Sequence, residues 1–292
     1  MRIILPFAAG GGTDVLARVL ARRLQDGLGQ PVVVDNRPGA GGTIGTEMLV
    51  KSPPDGHTMM FTTTAVAVNV TLYPRLAFDP RKDLVPVTQF GSTSSVLTVH
   101  PSVPVRSVVE LVALAKITRG GLNFGSNGSG TSSHLSGVMF TQMTGAPLTH
   151  VPYKGAAPAL NALLSGEVDV AFPGVNSVQP LLRASKVRSL AVTTKHRSSA
   201  LPDLPTLDSL YPGFEIDQWF LLLVPAGASA AIVNRLNAEV LKSLQHPDIK
   251  SFMSREGIEP VGSTPAEAAA FLNREVDKFA KVVKAAGVKP EP

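Results

Sequence analysis

Ile3-Ile4-Leu5-Pro6-Phe7-Ala8-Ala9-Gly10-Gly11-Gly12-Thr13-Asp14 carries the chain from an apolar strand through three consecutive glycines to the start of an amphipathic helix. A strand that feeds a helix through so short a turn points to layered α/β architecture. Glycine lets main chain come close to a ligand. The first turn of a helix leaves N–H groups without intrahelical partners, with about half a positive charge behind them. A second such junction, Gly125-Ser126-Asn127-Gly128-Ser129-Gly130-Thr131-Ser132-Ser133-His134-Leu135, lies in the middle of the chain. Two anion-facing loops with no obvious catalytic group between them imply capture of a small acid rather than its conversion.

The rest of the chain repeats the alternation. Asp14 to Leu28 reads as a helix with Val15, Leu16, Val19, Leu20, Leu24 and Leu28 on one stripe and a stop at Gly29. Pro31 to Asp35 reads as a buried parallel strand, Thr46 to Lys51 as a helix and Met59 to Thr64 as a third strand. A second cycle follows: strand Val96 to Pro101, helix Pro104 to Arg119, strand Leu122 to Ser126, helix Ser132 to Met143, strand Leu148 to Pro152, helix Ala156 to Leu164 and strand Val168 to Phe172. Val187 to Thr193 and Phe214 to Val224 complete the strands, the last long enough to cross between units. The tail is helical over Ala230 to Leu244 and again from the capping box Thr264-Pro265-Ala266-Glu267 to Ala286, before Gly287. Two crossings make a hinge. The expected division is a first lobe of residues 1–98 and 223–292, on which the tail packs back, and a second of 99–222, with a ligand cleft between them.

At 292 residues, 44% hydrophobic and 17% charged, the chain is long enough for two cores, and only Lys289 to Pro292 has the composition of a fraying end. The net charge is +5, but the basic residues are scattered and aromatics make up only 5%, which argues against a nucleic-acid groove. The absence of cysteine removes disulfides, thiolate metal sites and thiol nucleophiles. No stretch reaches the roughly 20 apolar residues of a membrane span. Met1-Arg2 runs straight into the first strand, so either the protein is cytoplasmic or an export signal has been removed.

Other chemistries fit poorly. Asp35 stands about twenty residues after the first glycine loop, as the acidic ribose ligand of a dinucleotide site would. The fingerprint fails at Val15, and Arg37-Pro38 beside Asp35 suggests a structural turn. Ser133 and His134, as nucleophile and base, would point about 100° apart on a helix, and no G-x-S-x-G elbow is present. The six histidines show no i,i+4 pair and no accompanying carboxylate cluster, so neither a catalytic residue nor a metal ligand nor a cofactor is expected. Tyr153-Lys154-Gly155 could reach the cleft or simply cap its loop, and Trp219 reads as hinge packing.

In order and spacing, Pro6 to Asp14, Val34 to Gly42, Pro54-Asp55-Gly56, Ser129 to Leu135, Val151 to Gly155 and Leu201 to Thr206 resemble the Bug family, the extracytoplasmic substrate-binding receptors of tripartite tricarboxylate transporters. The resemblance covers essentially the whole chain. It implies a two-lobed periplasmic-binding-protein (Venus flytrap) fold, each lobe a mostly parallel sheet flanked by helices, with two crossing strands as hinge. It further implies a periplasmic monomer that is not an enzyme. Such a receptor captures a di- or tricarboxylate, an acidic amino acid or an aromatic acid and delivers it to membrane transporter subunits, without inserting into the membrane itself. The alternative class is a nucleotide- or acyl-handling α/β enzyme.

Carried over by position, the proximal loop supplies Phe7, Ala9, Gly10, Gly12, Thr13 and Asp14. The strand-end loop Thr62 to Ala65, with Asn69 beyond it, supplies Thr63, Thr64 and Ala65. The distal loop supplies Ser126, Gly130, Thr131, Ser132, Ser133 and His134. Tyr153, Asp169 and the Pro173-Gly174 turn complete the expected site. The run Ser126 to Gly130 departs from the more usual alanine, glycine and asparagine order, which would alter the choice of ligand.

Overall fold

The computed structural model describes residues 1–73 and 75–286; the expected stop at Gly287 and the expected fraying of Lys289 to Pro292 lie outside them. Two sheets are flanked by helices. The first combines β1 (Arg2–Leu5), β2 (Val33–Asn36), β3 (Thr58–Thr62), β4 (Leu84–Ser94), β10 (Asp217–Pro225) and β11 (Ile258–Pro260), in the order β11-β4-β10-β3-β1-β2. The second combines β5 (Val96–Val99), β6 (Leu122–Ser126), β7 (Leu148–Pro152), β8 (Val170–Ala171) and β9 (Arg188–Val192), in the order β7-β6-β8-β5-β9. Parallel pairing is confined to β2-β1-β3 and β7-β6-β8. The strands at and beyond the crossings pair antiparallel, so both sheets are mixed where mostly parallel ones were expected.

Local chemistry accounts for the helices. α1 (Gly12–Leu28) stops at Gly29, whose φ of 68° a side chain would strain. α5 (Val108–Ile117) is capped by the Ser107 hydroxyl, which accepts from the Glu110 N–H. α12 (Pro265–Ala286) opens on the expected box: the Thr264 N–H donates to Glu267 at 2.9 Å and the Glu267 N–H to the Thr264 hydroxyl at 3.3 Å. The remaining longer helices are α2 (Thr43–Val50), α3 (Ala65–Leu72), α6 (Ser132–Thr144), α7 (Ala156–Ser165), α8 (Val175–Arg183), α10 (Ala230–Gln245) and α11 (Pro247–Arg255). Short α4 (Pro80–Asp83) and α9 (Leu207–Leu210) complete the set. As expected, the tail returns to the first lobe, α10 packing on α1 and α12 on α3 and β4.

Two details depart from the periodicity. Val15 is 43% exposed, because the buried face of α1 runs through Leu16, Ala17, Leu20, Ala21 and Leu24. Small alanines let that face sit close to the sheet and turn the valine outward. The strand expected to be buried at Pro31 to Asp35 is β2, an edge strand, and its Val33 is 59% exposed.

The central strand β10 is apolar throughout its second half because both of its faces are covered. Trp219, Leu221 and Leu223 join the core that runs on to the second sheet, whereas Phe220, Leu222 and Val224 join the core under α1 and α10. Phe61 stacks on Phe220 in that second core at 5.7 Å.

The chain crosses between sheets twice, side by side. β4 passes through Ser95 into β5, and the return runs through Ile216 into β10, where Asp217 pairs with Ser94. Thr193 ties both crossings together. Its N–H donates to the Ser95 carbonyl at 2.9 Å, and its hydroxyl lies 3.1 Å from that oxygen and 2.5 Å from the Ile216 carbonyl. The expected breaks at 98/99 and 222/223 therefore fall a few residues late: β5 belongs to the second sheet from Val96, and β10 lies wholly in the first. Residues 84–99 form one almost unbroken extended run, so no turn residue marks the change of sheet.

Thr193→Val keeps the side-chain shape but removes the shared donor at the crossings. It should cost about 1–2 kcal/mol of stability, read from the midpoint of urea denaturation.

Candidate functional site

The carboxyl ends of β1, β3, β6 and β8 open on the gap between the lobes, and there helices α1, α3, α6 and α8 begin, joined by α7 after β7. Phe7, Ala8, Gly11, Thr13, Asp14 and Thr63 from the first lobe meet Asn127, Thr131, Ser132 and Ala156 from the second, with Gln218 of β10 beside them. They surround a cavity of about 10 Å³, room for about one water molecule. Among the described residues no lysine or arginine lines it. What it offers an anion is main chain. Among the described residues, the N–H groups of Gly12 and Thr13 at the start of α1, and of Ser132 and Ser133 at the start of α6, meet no protein acceptor.

Of the expected proximal residues, Phe7, Thr13 and Asp14 line the cavity and Gly12 sits at its edge against Asn176, while Ala9 and Gly10 face solvent. Asp14 is not free to hold a ligand. Its carboxylate accepts from the Gly10 N–H at 3.0 Å, from Arg18 at 3.0 Å and from Asn36 at 2.9 Å, and Asn36 also donates to the Phe7 carbonyl. Burial alone would raise this carboxyl, but the hydrogen bonds from Arg18, Gly10 and Asn36 outweigh it and hold Asp14 below its ordinary value. Asp14 is thus the brace that shapes the loop. Asp35, beside it on β2, pairs with Arg37 at 2.9 Å in a structural turn.

The distal loop is braced in the same way, by groups that were expected to face the ligand. The Ser133 hydroxyl accepts from the Asn127 N–H at 2.9 Å and lies 2.9 Å from the Thr131 hydroxyl, which donates to the Gly128 carbonyl at 2.6 Å. The Ser126 hydroxyl takes the Gly128 N–H and touches His150, and His134 Nδ1 accepts from the Gly130 N–H at 3.0 Å. Beneath the loop the imidazoles of His134 and His150 stack at 4.0 Å, with Phe124 below His150 at 4.9 Å. This pair was invisible to a search for i,i+4 spacing, because β7 and α6 bring the two rings together. What these side chains leave free is main chain and the Ser132 side chain, which lines the cavity.

The other expected residues divide. Thr63 lines the cavity; Thr64 is fully buried with its hydroxyl unpartnered, and Ala65 opens α3. Tyr153 lies outside the cavity and donates its hydroxyl to Glu167 at 2.7 Å. Asp169 stands at the opposite end of β8, where it accepts from the Asn123 N–H. Pro173 and Gly174 join the crossing, the Pro173 carbonyl accepting from the Val96 N–H at 2.8 Å. Ala8, Gly11 and Asn127, inside the expected loops though not singled out, also line the wall, whereas sequence reasoning missed Ala156 and Gln218. A polar residue inside an otherwise apolar strand was a legible signal for Gln218. It also missed Asn176 of α8, which is 5% exposed with both amide atoms unpartnered. Pro180 inside α8 had hidden that helix.

The lobes touch through main chain. The Ala8 N–H donates to the Lys154 carbonyl at 2.9 Å across the gap. Gly41, at φ 60°, lies so close to the distal loop that a Cβ there would run into the Ser129 carbonyl oxygen. Asn69 donates to the Gly41 carbonyl at 3.0 Å from beneath.

Residues 16–288 match the family model described as tripartite tricarboxylate transporter family receptor. The chain belongs to that receptor family. Among the family's relatives, it is 38% identical over 292 residues to protein BugT of Bordetella pertussis, covering 99% of this chain and 90% of BugT. Of solved structures, the periplasmic binding protein BugD superposes with a TM-score of 0.96 at 32% identity, over 100% of this chain and 98% of that one. R. palustris Rpa4515 with adipate superposes with 0.95 at 36% identity and the same coverage. The two-lobed binding-protein fold is therefore that of the receptor family.

Burial pushes His150 down to about 4 from an ordinary value of 6.5. As pH falls below about 6.5 the unfolded chain takes up a proton that the folded receptor refuses, so stability declines until about pH 4, by at most about 3 kcal/mol. Thermal melts between pH 7 and 4 should show this slope, and His150→Gln should flatten it.

Proposed function

We propose that this receptor captures a small carboxylated solute in the periplasm and hands it to the membrane subunits of a tripartite transporter, without transforming it. One observation carries the reading: the starts of α1 and α6, whose first N–H groups meet no protein acceptor, both border a closed gap that among the described residues holds no lysine or arginine. Such a site neutralises a carboxylate without a side-chain cation. Charge-assisted hydrogen bonds contribute roughly 1.5–3 kcal/mol each, so a single helix start falls short of the about 8 kcal/mol of micromolar affinity, whereas two closing together reach it. The adipate held by Rpa4515 agrees with this ligand class.

In this reading the lobes, residues 1–94 with 217–286 against 96–215, turn about Ser95 and Ile216. The receptor acts as a monomer and approaches the membrane only through its transporter; no helix among the described residues is long and apolar enough to cross a bilayer. The enzyme alternative loses its best nucleophile and base, since Ser133 and His134 are both spent on bracing the distal loop.

Ser132 is the first residue of α6, where proline is tolerated, and Thr131 before it is already extended at φ −80° and ψ 162°. Ser132→Pro should therefore keep the fold while deleting one anion-facing N–H. Calorimetry with adipate, or with the acid that raises the melting temperature most, should show binding to the unaltered receptor and a loss of about tenfold or more in the variant. Stabilisation by NAD and by no carboxylate would overturn the proposal.

Gly41→Ala places a methyl group against the Ser129 carbonyl and so opposes closure. It should weaken the same acid by at least about fivefold, beyond the roughly 1 kcal/mol that a strained φ costs the folded state.

A further inference from the structure

We infer that the acid taken by this receptor is an elongated one: its first carboxylate sits at the helix starts, and its tail, flat and ending in a second anionic group, lies in the adjoining groove beside Lys154. This rests on the carboxylate reading and adds the shape and charge of the rest of the ligand. With the lobes together, the cavity at the helix starts holds only about 10 Å³, so the body of any bound acid must lie elsewhere. A groove of about 430 Å³ opens directly beside it and shares Phe7 and Asn127 as common walls.

The groove's chemistry is different from the cavity's. Pro6 and Tyr73 from the first lobe and Pro152 and Tyr153 from the second line it, so rings border it from both lobes. Among the described residues Lys154 is the one cation along it, no carboxylate lines it and Lys154 makes no ion pair. Ser129, also on the wall, has its hydroxyl buried and unpartnered. Closure assembles this slot, because the Lys154 carbonyl accepts from the Ala8 N–H across the gap. That bond uses main chain, so the Lys154 side chain can be changed without losing it.

Three probes test the inference by calorimetry: 4-carboxyphenylacetate, phenylacetate and malonate. The unaltered receptor should bind 4-carboxyphenylacetate about tenfold or more tighter than either of the others. Lys154→Met should remove the preference for 4-carboxyphenylacetate over phenylacetate and leave phenylacetate itself unchanged, while Lys154→Arg keeps the preference. If malonate binds tightest, or if K154M preserves the preference, the groove is not the tail site although the carboxylate reading stands. Binding of none of the three, with no acid shifting the melting temperature either, removes both.

Discussion

A helix start sealed from water with no acceptor in reach is an open electrostatic demand, and this fold makes two of them face each other. The N–H groups of Gly12 and Thr13 and those of Ser132 and Ser133 belong to different lobes, so they meet only when the lobes do. The rest of the molecule is arranged around that meeting. Parallel β1 and β6 each deliver a helix start to the cleft, and the chain crosses between the sheets twice, side by side, at Ser95 and Ile216. Glycine at position 41 leaves out a side chain that would run into the distal loop. Like partial charges brought together repel, which gives an empty closed receptor a reason to open and an anion a reason to close it.

Leaving those N–H groups free requires discipline elsewhere in the loops. Each loop satisfies its own interior: Asp14 takes the Gly10 N–H in the first, and Ser126, Ser133 and His134 take those of Gly128, Asn127 and Gly130 in the second. These acceptors are already engaged by the loops' own N–H groups, Asp14 even at the cavity wall. Polar residues that look like ligand contacts are in fact the frame around an unsatisfied main chain.

Much of this was legible in the residues. The glycine runs before Thr13 and Thr131 mark the two helix starts, and the Thr264 to Glu267 box and Gly29 mark ends that the structure realises. Side-chain roles were less legible, because a serine or threonine in a glycine-rich loop reads the same whether it points inward or outward. Only three-dimensional packing decides that Ser133 turns to Asn127 and Ser132 to the gap. The sheet change at Ser95 leaves no trace because β4 and β5 share one extended conformation, and α8 was masked by Pro180. Trp219 is buried beside the crossing, its indole donating to Glu275 of α12, which is hinge packing as its sequence context suggested.

β10 lies between β3 and β4, so the first sheet cannot close until the chain has been made almost to its end. The second sheet, by contrast, is drawn wholly from residues 96–192 and can assemble while the rest is still being synthesised. Within the N-terminal segment β1, β2 and β3 can pair with one another, but the free edge of β3 and the whole of β4 must wait for β10, over a hundred residues downstream. A polypeptide built this way keeps its central strand pairing open until β10 has been made, so its first sheet is completed late in synthesis.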